Sequence, residues 1–390
     1  MSMLGKFQKV KTLSATFFRK SFRLLEYLVW LIFDFSKFKR IETAKIKNVL
    51  AVLINQEKGN IGGDFVTLGI LNDFSRNYPN VRIFILSDKN TIQQFGKLDK
   101  IKTIEYNERN WFDKIRKEKI DAAIIFTSGK LRIRDFASIK YVISGTRFSI
   151  RNIFDKREFG CTRKINPFTD KPMILYRYDM LESLGFRFKK KEPFLEITKT
   201  EENKANKFLK KNNISKFIVI HPGGKYVAES YRQGKWAPHL WNLDRYAEVA
   251  DHFSEKGYKI LITGSDSESI LAEKINELSK NKIINVCGKF TIRESVALLK
   301  KAKLLIATDT SIVHIAYQKP VEAKIVELMG PSVPKSVGAW PLNSKRHRVL
   351  IDKGPAYKSM RKLPFENNFN CLQNIKTKDV IMAGEELLEI

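Results

Sequence analysis

The segment "LLIATDTSIVHIAY", Leu304 to Tyr317, passes from three aliphatic residues into Asp309, Thr310 and Ser311 and reaches His314 three positions later. Leu304, Leu305 and Ile306 have the character of a short buried strand, and the spacing of Ile312, Val313, Ile315 and Ala316 suits the core side of a following helix. Thr310 or Ser311 is then the helix N-cap. Two chemistries fit those hydroxyls: they satisfy the orphan N–H groups of the first turn, or those N–H groups and the helix dipole face an anionic ligand. Two further strand ends carry groups of the same kind. "FIVIHPGG" closes on Gly223 and Gly224, which let a backbone approach a ligand closely or simply make a tight turn. "ITGSDSE" brings Gly264 and then Asp266 and Glu268, a carboxylate pair that an acid-rich helix start explains as well as a metal does.

The elements that must hold these groups alternate between short aliphatic strands and amphipathic helices. "VLAVLI", "VRIFILS", "DAAIIF" and "YVIS" form one series, and "FIVIHPGG", "KILITGS", "KIINVCG", "KLLIATDT" and "AKIVELMGP" a second. Such alternation predicts α/β domains built on parallel sheets covered by helices. In sheets of that kind ligands collect at the carboxyl ends of the strands, which is where the polar groups above fall. The expected division is residues 46–200 for an N-terminal domain and 210–390 for a C-terminal one, with residues 1–45 apart from both.

Composition narrows the partners. The 390 residues are 43% apolar, enough for two full cores, and 71 Lys+Arg against 42 Asp+Glu leave a formal charge of +29. A surface of that sign attracts polyanions. The basic residues are scattered and no RNP-type aromatic motif or zinc-finger spacing occurs, so no nucleic acid is expected as partner. Cys161, Cys287 and Cys371 are odd in number and far apart, which argues for reduced thiols in a cytosolic compartment. The five histidines lack ligand-like spacing, and no metal is expected. In residues 1–45, Arg19, Arg23, Glu26, Trp30, Asp34 and Lys37 recur every three or four positions opposite Phe18, Phe22, Leu25, Val29, Ile32 and Phe33. That pattern predicts an amphipathic helix lying on an anionic membrane surface, or docked on protein, and not one spanning a bilayer.

Taken in order, "HPGG…KW…L", "ITGSDSE", "NVCGKFTIRESVALLKKAKLLIATDTSIVHIA", "ELMGPSVP" and "CLQNIKTKDV" resemble the ADP-heptose:lipopolysaccharide heptosyltransferases, glycosyltransferase family 9. The family's D-T-G-x-x-H-x-A is matched by Asp309, Thr310, Ser311, Ile312, Val313, His314, Ile315 and Ala316. "NIGGD", "NYPN", "VISGTRF" and "DMLESLGF" extend the likeness through the first half.

The resemblance implies a GT-B fold: two Rossmann-like domains facing a cleft, the acceptor held by the first and the donor by the second. It also implies sugar transfer with inversion, without metal or other cofactor, from a nucleotide-diphosphate sugar such as ADP-heptose to a lipopolysaccharide core or other lipid-linked saccharide acceptor. The place of work would be cytoplasmic, on the inner face of the bacterial inner membrane. Asp64 matches the family's catalytic Asp, and Lys235 the Lys that contacts phosphate. Gly223, Gly224, Lys235, Gly264, Glu268, Asp309, Thr310, Ser311 and His314 would line the donor, Glu268 accepting from the ribose. Two departures stand out: Ser311 replaces the motif glycine, and the loop before Asp64 is long and carries a double glycine. A segment "KYVAESYRQG" also separates "HPGG" from "KW", either a solvated loop or one whose Lys225, Tyr231 and Arg232 close over phosphate. The reading from another class is a non-catalytic nucleotide-sugar or polyanion-binding protein that keeps the fold.

Overall fold

The computed structural model describes residues 40–54, 61–106, 110–128, 136, 138–144, 163–164, 171–235, 237, 239–330, 344–352 and 372–390. The amphipathic helix expected over residues 1–45 lies outside them, apart from a single 3-10 turn at Thr43–Lys45.

Aliphatic runs without polar alternation make strands that are buried on both faces, and every strand pairs in parallel. The N-terminal sheet contains β1 (Asn48–Ile54), β2 (Arg82–Ser87), β3 (Ile101–Glu105), β4 (Ala122–Ser128), β5 (Tyr141–Ser144) and β6 (Arg163–Lys164), in the spatial order β3-β2-β1-β4-β5-β6. The C-terminal sheet contains β7 (Phe217–His221), β8 (Lys259–Ile262), β9 (Ile284–Asn285), β10 (Leu304–Thr308), β11 (Lys324–Met329) and β12 (His347–Ile351), in the order β12-β11-β10-β7-β8-β9. The second order repeats the first. Within each sheet the first and fourth strands lie side by side and the winding reverses between them, which opens a crevice at their carboxyl ends.

Helices cover both faces. In the first half α1 (Ile61–Asn77), α2 (Lys89–Phe95) and α3 (Trp111–Lys117) follow the first three strands, and α4 (Met173–Glu182) packs on α1. Then comes α5 (Lys199–Lys211), followed in the second half by α6 (Lys225–Arg232), α7 (Leu243–Glu255), α8 (Ser269–Leu278), α9 (Ile292–Leu299), α10 (Ser311–Ala316) and α11 (Thr377–Leu388). The segment "KYVAESYRQG" is therefore mostly helix and not the loop expected of it. Val227 and Ala228 are buried in the core of the second domain, and Arg232 is held by Glu229 (2.7 Å) and the Ser267 carbonyl (3.1 Å).

Side-chain alternation along the strands divides the core. Leu304 and Ile306 of β10 face Trp241 and Phe253 on one side of the second sheet. Leu305 and Ala307 face the other way, into a core that continues through α10 and α1 to Val49, Ala51 and Leu53 of β1. One apolar core thus joins the two domains. Residues 62–75 of α1 are buried throughout, because this helix lies between the N-terminal sheet and α10. The domains are also stitched by polar contacts. Gln318 donates to the Phe65 carbonyl at 3.2 Å, and Arg293 of α9 donates to the Phe95 carbonyl at 2.9 Å and to Glu201 of α5 at 2.6 Å. The helix α5 packs on α9 and so travels with the C-terminal sheet.

Candidate active site

The first turn of α1 starts at the carboxyl end of β1's crevice and carries Gly62, Gly63 and Asp64. Asp64 is only 3% exposed. Against this turn lies Arg177 of α4, 6% exposed, whose Nη1 donates to the Gly63 carbonyl and to Thr67 Oγ1. Burial lowers the guanidinium pKa to about 10, an effect opposed first by the Asp64 carboxylate, so it stays charged at neutral pH. Sequence reasoning missed Arg177, which lies on a separate helix far along the chain.

Facing Asp64's turn is the start of α10. Thr310 is its N-cap, with extended backbone (φ −141°, ψ 171°), yet its side chain makes no capping bond. The simple capping reading of this hydroxyl is thereby corrected: Thr310 Oγ1 is buried and has no partner among the described residues, and neither does Thr308 Oγ1. Ser311 touches the other domain directly. A Cβ built on Gly62 would stand 2.9 Å from both Ser311 Cα and Ser311 Oγ, closer than real Cβ atoms come. Gly62 of the double glycine and the serine in place of the motif glycine are therefore one feature, since the first makes room for the second. Asp309 Oδ1 lies 3.8 Å from His314 Nε2, beyond hydrogen-bond range. Burial lowers the pKa of His239, Asp309 opposing it, and His239 Nδ1 is another buried atom without a partner among the described residues.

The remaining donor candidates surround the ends of β7 and β8. Gly223 is required by packing, because a Cβ there would lie 2.8 Å from Val227 Cγ1. Gly224, the N-cap of α6, has no atom within 4 Å of such a Cβ. Gly264 is also fixed by packing, since a Cβ on it would lie 2.9 Å from Glu268 Cβ. Glu268 is buried, and its Oε2 accepts from the Ser265 N–H (2.6 Å) and Ser265 Oγ (2.5 Å), which makes the acid-rich stretch a capping box. Its Oε1 accepts nothing among the described residues and lies 3.7 Å from His221 Nε2. The Nδ1 of His221 is 2.9 Å from the Thr263 carbonyl, a contact that requires the proton on Nδ1 and leaves Nε2 an acceptor when the ring is neutral. Lys235 follows α6, is exposed, and makes no side-chain bond among the described residues. Among those residues no group of three metal-ligating side chains occurs, and no helix is long and apolar enough to cross a membrane.

The arrangement brings a buried, arginine-flanked carboxylate against a crevice of unpaired hydroxyl, imidazole and carboxylate atoms. Such a crevice suits a polar ligand that completes those open atoms.

Comparison with known proteins agrees. Residues 157–368 match the model of glycosyltransferase family 9 (heptosyltransferase). A lipooligosaccharide heptosyltransferase 2 of Haemophilus ducreyi is 28% identical over 56% of this chain, and the match spans 64% of that protein's length. Lipopolysaccharide heptosyltransferase 3 of Escherichia coli is 21% identical over 84% of this chain and 95% of its own. Among solved structures, a family 9 glycosyl transferase from Veillonella parvula superposes with a TM-score of 0.68 at 21% identity, covering 90% of this chain and 99% of that one. The ADP-heptose lipopolysaccharide heptosyltransferase II of E. coli does so with 0.64 at 15% identity, covering 88% and 99%. These shapes establish the fold as GT-B, with two Rossmann-like domains. With a family model matched over more than half its length, the chain belongs to glycosyltransferase family 9, the heptosyltransferases, and is a glycosyltransferase.

Proposed function

We propose that this enzyme transfers a heptose, with inversion and without a metal, from ADP-heptose to a saccharide of the lipopolysaccharide core or another lipid-linked acceptor. The observation that carries the reading is the apposition of the two crevices: the turn bearing Asp64 touches Ser311, at the start of the helix whose N-cap hydroxyl, Thr310 Oγ1, is buried and lacks a partner among the described residues. Names of relatives supply the sugar and the acceptor, since their printed descriptions are lipopolysaccharide and lipooligosaccharide heptosyltransferases and one E. coli relative was solved with ADP.

In the proposed step Asp64 takes the proton of an acceptor hydroxyl as that oxygen bonds to the anomeric carbon. The bond from this carbon to the diphosphate oxygen breaks on the opposite face, and its electron pair leaves with ADP, which gives inversion. Charge growing on the diphosphate is balanced by the α10 N–H groups and by Lys235, whose exposed ammonium can swing onto a ligand. Glu268 Oε1, open beside His221, is the acceptor for a ribose hydroxyl. The membrane role would fall to residues 1–45, whose sequence pattern of apolar and basic residues suits an anionic membrane surface at the cytoplasmic face where lipid-linked acceptors lie.

The test is ADP-heptose with heptose-deficient lipopolysaccharide. ADP release matched by one added heptose per acceptor is expected, with no loss on adding chelator. Donor binding without turnover would instead favour the non-catalytic reading, and inhibition by chelator would remove the metal-free mechanism. Deletion of residues 1–40 should leave donor binding intact and reduce flotation with anionic liposomes; equal flotation of both forms would withdraw the membrane role.

A further inference from the structure

Helix α1 carries two buried carboxylates, and the adjacent residues Arg177 and Tyr178 of α4 approach it with different chemistry. Asp73 accepts a hydrogen bond from the neutral Tyr178 hydroxyl at 2.5 Å, and burial raises its pKa. The turn bearing Asp64 is instead met by the charged guanidinium of Arg177. Burial pushes Asp73 toward keeping its proton more strongly than Tyr178, the Glu192 N–H and the charge of Arg76 pull the other way, and a protonated carboxyl is no base. A guanidinium buried without a negative neighbour is equally costly. For Arg177 that neighbour is Asp64, the first influence opposing the lowered pKa of the guanidinium.

We propose that Arg177 is a positioning residue for Asp64: it fixes the first turn of α1 and supplies the buried counter-charge that keeps this carboxylate ionised and ready to accept a proton. The role rests on the assignment of Asp64 as base. The hydrogen bonds define the geometry. Thr67 Oγ1 donates to the Gly63 carbonyl at 3.0 Å, and Arg177 Nη1 joins both atoms, so the peptide preceding Asp64 is clamped from two sides. The face of the Phe126 ring, 5.9 Å from the guanidinium, closes the site from β4. From α4, Tyr176 faces Arg177 with its hydroxyl kept neutral by burial; from the second domain, the segment packed on α1 brings Asp309 and His314, close to each other, with His239 behind Asp309. The Asp64 carboxylate is the first influence opposing the lowered pKa of Arg177.

Two variants separate charge from hydrogen bonding. Arg177→Gln keeps a donor for the Gly63 carbonyl and loses the charge, whereas Arg177→Lys keeps the charge and loses the fork. The first readout needs no substrate: carboxyl carbon NMR of protein labelled at aspartate, with Asp64→Asn used to assign the Asp64 signal. Its inflection should rise by about 1–3 pH units in Arg177→Gln, the usual worth of a nearby opposite charge, and stay near the wild-type position in Arg177→Lys. An unchanged inflection in Arg177→Gln overturns the proposal. Should that variant not fold, Arg177→Lys decides: a wild-type inflection supports the role, and a shift of a full unit overturns it. The second readout is the pH profile of kcat with ADP-heptose and heptose-deficient lipopolysaccharide. The acid limb should move upward with the NMR inflection while the donor KM holds. A uniform drop in rate at every pH would mean a purely structural Arg177. Normal turnover by Asp64→Asn would refute the base assignment and leave the NMR result standing by itself.

Discussion

At the crevice of the N-terminal sheet, between β1 and β4, the polar groups at the first turn of α1 are matched, Arg177 with the Gly63 carbonyl, Thr67 and the charge of Asp64, while Thr127 Oγ1 at the end of β4 is buried without a partner among the described residues. At the equivalent crevice of the C-terminal sheet, between β7 and β10, several are not. Thr308 Oγ1, Thr310 Oγ1, Glu268 Oε1 and His239 Nδ1 are all buried and lack partners among the described residues. Sheet order is the same in both halves, so topology does not explain the contrast. Leaving a buried polar atom unpaired costs about 1–3 kcal/mol, and a fold keeps several such atoms together where a ligand will complete them. In the proposed mechanism the N-terminal half holds the base. The unmatched half is shaped to receive something.

The largest effect should come from breaking the N-terminal half at Asp64. Asp64→Asn preserves shape and removes the proposed base, so kcat should fall by about two to four powers of ten, with donor affinity unchanged because the proposed donor groups lie in the other domain. Single-turnover rates and calorimetric titration with ADP measure the two separately. A variant that lost donor binding in proportion to rate would erase the distinction between the halves.

Next in size is the join between them. Arg293→Ala removes a guanidinium that bonds Glu201 at 2.6 Å and the buried Phe95 carbonyl at 2.9 Å, and leaves both without their partner. Loss of one side of a buried pair costs about 3–5 kcal/mol; since Glu201 is partly solvated, the lower figure is expected, read as a shift in urea midpoint. Two separate unfolding transitions in this variant would show that the apolar core alone does not couple the domains.

The contrast between the halves was only partly legible in the sequence. Aliphatic runs such as those of β1 and β10 announce buried parallel strands, and the glycine and hydroxyl residues after β7, β8 and β10 fall at the carboxyl ends of adjacent or nearby strands, where periodicity places them. Local pattern could not find Arg177, because its partner Gly63 is 114 positions away and "YRYDMLE" reads as an ordinary helix face. The helix α6 was hidden for another reason: its flanking glycines look like loop, whereas the burial of Val227 and Ala228 against the second core decides the matter. Gly62 and Ser311 each looked like a departure from the family pattern. Only their contact shows them to be complementary.

That contact gives a smaller effect. Gly62→Ala places a methyl 2.9 Å from Ser311 Cα, a backbone atom that cannot rotate away, so α1 and α10 must separate slightly. Overpacking of this kind costs about 1–3 kcal/mol. The melting temperature should fall and turnover with it, because the base moves relative to the donor. Ser311→Gly removes Oγ and Cβ from the crowded side but leaves Cα, so adding it to Gly62→Ala should restore part of the loss and no more. Strict additivity in this double-mutant cycle would mean that the two residues do not press on each other.

The smallest effect on stability is expected at Glu268, where the unmatched half can be probed by a single atom. One oxygen, Oε2, already serves the capping box with Ser265, and the other, Oε1, is open. Glu268→Gln retains an acceptor for the cap through its amide oxygen and turns the open oxygen into an N–H donor. Helix α8 should therefore keep its start, and thermal stability should change by less than about 1 kcal/mol, the scale of a single cap. A ribose hydroxyl that donates to a charged oxygen would lose a charge-assisted hydrogen bond worth about 1.5–3 kcal/mol, or roughly ten- to a hundredfold in affinity. ADP and ADP-heptose should weaken together, since both carry the ribose, while kcat at saturating donor stays close to that of the parent. Equal affinity of variant and parent for ADP, measured by calorimetry, would show that the open oxygen of Glu268 awaits a different group, and the placing of the nucleoside beside His221 would fall with it.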